Sequence, residues 1–348
     1  MKRMVTVFLC MGLVLTIFSA CGGNLYAAAE AADVKGTLVL YSSMTENDLN
    51  NLLAGFGAKY PNVDIEIVNG SAGELTARIA AEATNPQGDV MWGGLNNADG
   101  DMHSAIFEHW LSDYEMDLPE MYRSPNGFYS MSHLSTIVFC VNTDLEAELG
   151  MNITGYADLL DPRLKGRIVI PDPNSSSSAW NHLANMLTVF GHNTAEMWDY
   201  VDKFLGNGVV VSTSSSIAFR AIADGEYVVG LSYEDGASTL LKAGATNIKM
   251  VYPKEGASGF AFGTAVIKNA RNADAAKAMV NFLMSPDGQT YMGNALGTLR
   301  FTNPKAKYAS PYLPNDNEVN WVVRDNDWLT KNRQDVLNRW NEIFMKYN

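Results

Sequence analysis

Two runs of hydroxyl side chains are the residues of this sequence best suited to chemistry: Ser175 to Ser178, and Ser212-Thr213-Ser214-Ser215-Ser216. Each follows a short apolar run, Ile168-Val169-Ile170 or Val209-Val210-Val211, that reads as a buried strand. Each leads into apolar residues at helical spacing, Trp180, Leu183, Leu187 and Phe190 after the first, Ile217, Phe219 and Ile222 after the second. The serines therefore stand where a strand turns into the N-terminus of a helix. The first N–H groups of a helix have no internal partner, and the helix dipole makes that end positive. With serine donors beside them, such turns can cradle a phosphate, sulfate or carboxylate. The plainer alternative is N-capping of a turn, which serine also favours. Repetition of the arrangement favours the cradle.

Glu234, Asp235 and Glu255 fall in loops after predicted strands. They can accept hydrogen bonds from ligand hydroxyls or an ammonium, or they are solvated turn carboxylates. Tyr233 can stack on a sugar or amine, or line the core, and Trp92 beside Gly93-Gly94 has the same two readings. Covalent chemistry finds no motif: the chain has no G-x-S-x-G elbow, P-loop, G-x-G-x-x-G or H-E-x-x-H. His103, His109, His133, His182 and His192 show no zinc-ligand spacing. A serine hydrolase remains as the enzyme alternative, and it requires the fold to bring a His or Lys base to one of the serines.

The elements that must position these groups alternate along the chain. Leu38 to Tyr41, Val63 to Val68 and Asp89 to Trp92 read as strands, with helical spacing at Leu49, Leu52, Leu53 and Phe56 and again at Leu75, Ile79 and Ala83. This is α/β alternation with a mainly parallel sheet. Ligands of such sheets bind beyond the carboxyl ends of the strands, where Ser42, Ser43, Asn69, Ser71, Gly93 and Gly94 stand. Ser135 to Asn142 is a long apolar strand leading into a second α/β block, and the C-terminal part reads as helical cover.

The 348 residues suffice for two lobes, and 47% hydrophobic with 18% charged residues is globular composition. A net charge of −13 argues against nucleic acid as partner and predicts that a bound anion is held by local dipoles, not by a basic field. Lys2, Arg3 and the apolar stretch Val5 to Phe18 read as a signal peptide, 1–20, and Cys21 after it as a lipidated first residue. Ordinary cleavage between Tyr26 and Ala32 is the alternative. Loss of Lys2 and Arg3 takes the formal charge from −13 to −15. Residues 21–35 read as a tether, and Cys140 in VFCV as a buried thiol.

The segments LVLYSS, VNGSAGELTARIAAEATNPQGDVMWGG, DPRLKGRIVIPDPNSSSSAW, VVGLSYEDGAS and YPKEGASGFAFGTAVIKNARNADAAKAMVNFLMSPDGQ together resemble the solute-binding proteins of bacterial ABC importers. The nearest branch holds ferric-ion, hexose-phosphate and aminoethylphosphonate binders. The resemblance implies the type II periplasmic-binding-protein fold: two α/β lobes with mixed sheets and flanking helices, closing on a solute. It implies a first lobe of 36–139 plus 263–348, a second of 140–262, and a hinge near Phe139–Asn142 and Ala261–Thr264. It places the ligand at Ser42, Ser43, Ser71, Gly94, Ser176, Ser177, Ser214, Tyr233, Asp235 and Glu255, with no catalytic residue and no resident metal. The implied partners are an ABC permease and ATPase, the membrane through a lipid anchor, and a small anionic solute such as a phosphorylated sugar or aminophosphonate. Ferric ion (Fe3+) is the alternative cargo. Ferric members of the family use an adjacent Tyr-Tyr pair, where this chain has Ser232-Tyr233-Glu234-Asp235.

Overall fold

The computed structural model describes residues 33–95 and 100–347. The expected signal peptide, Cys21 and most of the tether lie outside the described residues. The chain forms β1 (Gly36–Ser42), α1 (Glu46–Lys59), β2 (Val63–Asn69), α2 (Ala72–Ala81), β3 (Val90–Leu95) and α3 (Gly100–Ile106). A long β4 (Ser130–Asn142) leads to α4 (Thr143–Glu148), β5 (Ile168–Pro171), α5 (Ser177–Phe190), α6 (Ala195–Gly206) and β6 (Val210–Ser212). Next come α7 (Ile217–Ala223), β7 (Val229–Tyr233), α8 (Glu234–Lys242), β8 (Ile248–Val251) and β9 (Gly259–Val266). The chain finishes with α9 (Ala273–Met284), α10 (Pro286–Leu296), β10 (Arg300–Phe301) and α11 (Asn326–Phe344).

β4 belongs to both lobes. Its first half, Ser130 to Thr136, pairs antiparallel with β9 and, at its other edge, with β10. From Ile137 onward it pairs antiparallel with β7 and β8. β1 runs parallel to β2 and β3 in the first lobe, and β5 runs parallel to β6 and β7 in the second. Each sheet is therefore mixed, a parallel body closed by antiparallel crossing strands.

Alternation along the strands gives each sheet two buried faces. Leu38, Leu40, Val90 and Trp92 pack on α1, α9 and α10, while Tyr41 and Met91 face Leu75 and Ile79 of α2. In the second lobe Phe139, Val141, Ile168 and Ile170 face α5 and α6, and Val138, Cys140 and Val169 face the opposite layer with Phe219 and Ala237. Burial pushes the Cys140 thiol up to about 12, as expected of a core cysteine.

The expected lobe boundaries need correction in two places. Leu329, Val336, Leu337, Trp340 and Ile343 of α11 join the core of the second lobe, beside Met197 and Phe204 of α6. Residues 326–344 therefore do not belong with the first lobe. Helical periodicity shows that a face must be covered, but not by which lobe. The first two crossings fall a few residues before the expected hinge segments, since Phe139–Asn142 and Ala261–Thr264 themselves sit inside ladders. Ile137, Ala257 and Val319, one from each of three crossings, form a small buried cluster between the lobes. The third crossing is fastened by Ala257 N–H to Asn320 O at 2.9 Å and Val322 N–H to Ala257 O at 3.0 Å.

Candidate functional site

In the first lobe the expected residues converge at the carboxyl ends of β1 and β3. Ser42 is buried, donating from Oγ to Trp92 O at 2.9 Å and accepting from Met44 N at 3.2 Å. Gly93 and Gly94 both take positive φ, 91° and 74°. A Cβ on Gly94 would come 2.3 Å from the Cβ of Ala72 and 3.1 Å from Ser43 Oγ, so only glycine allows this approach. Ser71 caps α2: its Oγ accepts from Glu74 N at 3.3 Å and donates to Glu74 Oε2 at 2.8 Å. The hydroxyl of Ser71 is thus engaged in a capping box.

In the second lobe the fold joins the two serine runs. β5 and β6 are parallel neighbours, with Pro171 opposite Ser212, so the loops after them meet. Ser176 Oγ lies 2.8 Å from Ser215 Oγ and 2.9 Å from Ser178 Oγ, and accepts from Ala179 N at 3.3 Å as the cap of α5. Ser214 Oγ lies 3.1 Å from Ser216 Oγ. Ser177, the first residue of α5, is exposed.

The third group follows β7. Asp235 accepts from Ser135 Oγ at 2.9 Å. Burial pushes its carboxyl up to about 7, the Ser135 hydrogen bond opposes that, and the nearby Asp48 charge adds to it. The Tyr233 phenol is raised, first by burial and then by the Asp235 charge, and its ring meets Phe219 edge-on. Glu234 is 1% exposed and receives Arg300 Nε on both oxygens at 3.0 Å, with the Tyr252 hydroxyl as a further donor. Arg300 also reaches Asp316 at 2.6 Å. This pair ties α8 of the second lobe to β10 of the first.

Glu255 does not join these groups. Its carboxylate accepts from Tyr156 N at 3.0 Å and Ala157 N at 3.3 Å, which makes it an anchor for the 3-10 turn Tyr156–Leu160. A loop carboxylate in sequence does not reveal that a distant turn will use it.

A cavity of about 690 Å³ opens between the lobes. Met131 and Ala261 line it from the first lobe, and Ser177, Trp180 and Asn181 from α5. Of the expected ligand residues, Ser177 is the one on its wall. The wall also carries three arginines that the sequence reading missed. Arg300 lies over Trp321 at 5.6 Å, Arg324 over Phe260 at 5.0 Å and Arg333 over Trp180 at 5.0 Å. The negative net charge gave no sign of this: an acidic chain gathers three guanidinium groups around one cavity. Net charge averages over the surface and hides such local gathering.

The serine runs bond among themselves. Among the described residues the Ser–His side-chain hydrogen bond is Ser132 Oγ to His133 Nδ1 at 3.0 Å, inside β4. Burial holds His133 at about 4, and burial first holds His182 at about 3, where its Nε2 meets Ser232 O at 2.6 Å. No group of three His, Cys, Asp or Glu side chains among the described residues is placed to hold a metal ion.

The family model for bacterial extracellular solute-binding proteins matches residues 51–318. Iron uptake protein A1 of Synechocystis sp. is 29% identical over 315 residues, 82% of this chain and 83% of that protein. A Salmonella typhi protein, whose name provisionally assigns it to periplasmic 2-aminoethylphosphonate binding, is 24% identical over 238 residues, 67% of this chain and 68% of that one. The structure of the periplasmic binding protein AfuA from Actinobacillus pleuropneumoniae, with exogenous fructose-6-phosphate bound, matches with a TM-score of 0.77. Identity to it is 28%, with 89% of this chain and 99% of that one covered.

Proposed function

The chain belongs to the bacterial extracellular solute-binding proteins and has their type II two-lobed fold, and from that premise we propose that its cargo is a small anionic solute, a phosphorylated sugar or an aminophosphonate. It delivers the cargo to the permease and ATPase of an ABC importer, binding and releasing without covalent chemistry. The observation that carries the reading is Ser177: an exposed hydroxyl on the cavity wall, at the first turn of α5 where backbone N–H groups lack helical partners. Tyr233 and Asp235 carry the phenol and carboxyl that a hydroxyl or amine end would need, and they are proposed to reach it, with Ser43 and Gly94 of the first lobe, when the lobes close. Glu255 and the capping hydroxyl of Ser71 are left out of this set.

Thermal denaturation with fructose 6-phosphate, 2-aminoethylphosphonate and ferric citrate tests the reading. A ligand at about a hundred times its dissociation constant adds ~2.7 kcal/mol to stability. Small-angle scattering on the same samples should show compaction as the lobes close about the crossings. The 29%-identical iron uptake protein favours ferric ion as a second reading. That reading predicts a visible tyrosinate-to-iron band that Tyr233→Phe abolishes, and no response to the phosphorylated ligands.

The protein works outside the cytoplasmic membrane, and Cys21 is proposed to hold it there by lipid. One acyl chain binds only marginally, so stable anchoring needs a multiply acylated cysteine. Cys21→Ser should move the chain to the soluble fraction, and unchanged membrane fractionation of that variant would count against the anchor.

A further inference from the structure

Two of the three arginines on the cavity wall are not alike in what surrounds them. The charge of Arg300 is met by Glu234 and Asp316. That of Arg324 is met by neutral groups alone. Its Nε donates to Ser258 Oγ at 2.6 Å, its Nη2 to Asn181 O at 2.9 Å and its Nη1 to Asn181 Oδ1. Among the described residues no carboxylate lies within ion-pair distance of it. Behind it Ser258 Oγ donates to Asn185 Oδ1 at 2.5 Å, and Asn185 Nδ2 donates to Gly256 O and Tyr156 Oη at 2.9 Å. The guanidinium is therefore held from two sides, by α5 and by the second crossing, in a fixed place.

A charge partly withdrawn from water is costly unless it is paired, and Arg324 is half-buried. Desolvation lowers Arg324 to about 9, and its charge also helps to depress buried His182. A guanidinium has five N–H donors, and the three bonds to Asn181 and Ser258 leave donors for a partner. Asn181 stands four residues after Ser177, on the same face of α5, and Ser177, Asn181 and Arg324 all line the one cavity.

We propose that Arg324 is the charge anchor of the cargo, holding the phosphate or phosphonate group of the solute in the interlobe cavity beside Ser177. The inference rests on the reading of the cargo as an anion. It adds what selects an anion over a neutral sugar of the same shape: a positive charge held in place, with one N–H still free on each Nη.

Isothermal titration with fructose 6-phosphate, 2-aminoethylphosphonate and unphosphorylated fructose tests it, on wild type, Arg324→Gln and Arg324→Lys. Arg324→Gln should bind whichever phosphorylated solute the wild type takes about ten- to a hundredfold more weakly. Any affinity for fructose should stay as it was. Arg324→Lys keeps the charge but not the bonds that fix it to Asn181 and Ser258, and should fall between the two. It also carries the test if the glutamine variant does not fold. A folded glutamine variant that binds the phosphorylated solute as tightly as wild type overturns the anchor and leaves the cargo reading standing. An equal loss for fructose also overturns it, since that marks lost packing rather than lost charge. A wild-type protein that binds neither phosphorylated solute overturns the cargo reading and the anchor with it.

Discussion

Glu234→Ala is expected to destabilise the protein by ~3–5 kcal/mol, the usual cost of removing one partner of a buried ion pair. The size follows from what the deletion leaves behind. Arg300 would keep its place between Trp321 and the interlobe wall but lose both oxygens that meet its Nε. Asp316, which is 80% exposed, cannot replace them, because solvent screens an exposed partner. The Tyr252 hydroxyl would lose its acceptor too. Chemical denaturation measures the loss. The double variant Glu234→Leu with Arg300→Met should recover much of it, since apolar residues of similar volume often replace a buried pair without loss. A single-variant loss below ~1 kcal/mol would mean that the pair is solvated and does not bind the lobes together.

Ser177→Asp should abolish binding of a phosphorylated solute and leave the fold intact. Like charges brought together in a binding site cost several kcal/mol, so the affinity should fall more than ~100-fold. The same aspartate sits in the first turn of α5, where a negative charge stabilises the helix by ~0.3–1 kcal/mol. Binding and melting temperature therefore move in opposite directions, which a misfolded variant cannot imitate. Ser176 is the wrong residue for this test. Its buried hydroxyl holds Ser178 and Ser215 and caps Ala179, so its removal mixes stability with affinity. A Ser177→Asp protein that binds fructose 6-phosphate or 2-aminoethylphosphonate like wild type would remove the α5 N-terminus from the site.

The strands were legible because apolar runs such as Val169-Ile170 and Val138 to Val141 have few other destinations than a doubly covered sheet. The repeated strand-to-serine arrangement was legible too, but that the two serine loops meet came only with the parallel pairing of β5 and β6. The destination of α11 was not, because its apolar stripe fits any open face. Glu234, Asp235 and Glu255 looked alike in sequence, three acids after strands. Their fates differ only through residues brought from elsewhere: Arg300, Ser135 and the turn at Tyr156. Arg324 carried no local signal, since what marks it is the absence of a carboxylate in three dimensions.

The sharing of β4 and the placing of α11 bear on the order in which the chain can fold as it is made. When Ser258 leaves the ribosome, the first lobe still lacks β9 and β10, the two strands that pair with the first half of β4. The second lobe waits longer, for Leu329 to Ile343 to complete its larger core. Both lobes thus depend on contacts between distant residues, and such contacts form slowly. For a family that works outside the cytoplasmic membrane, late closure has a use: a chain not yet folded is the form a narrow translocation channel can pass.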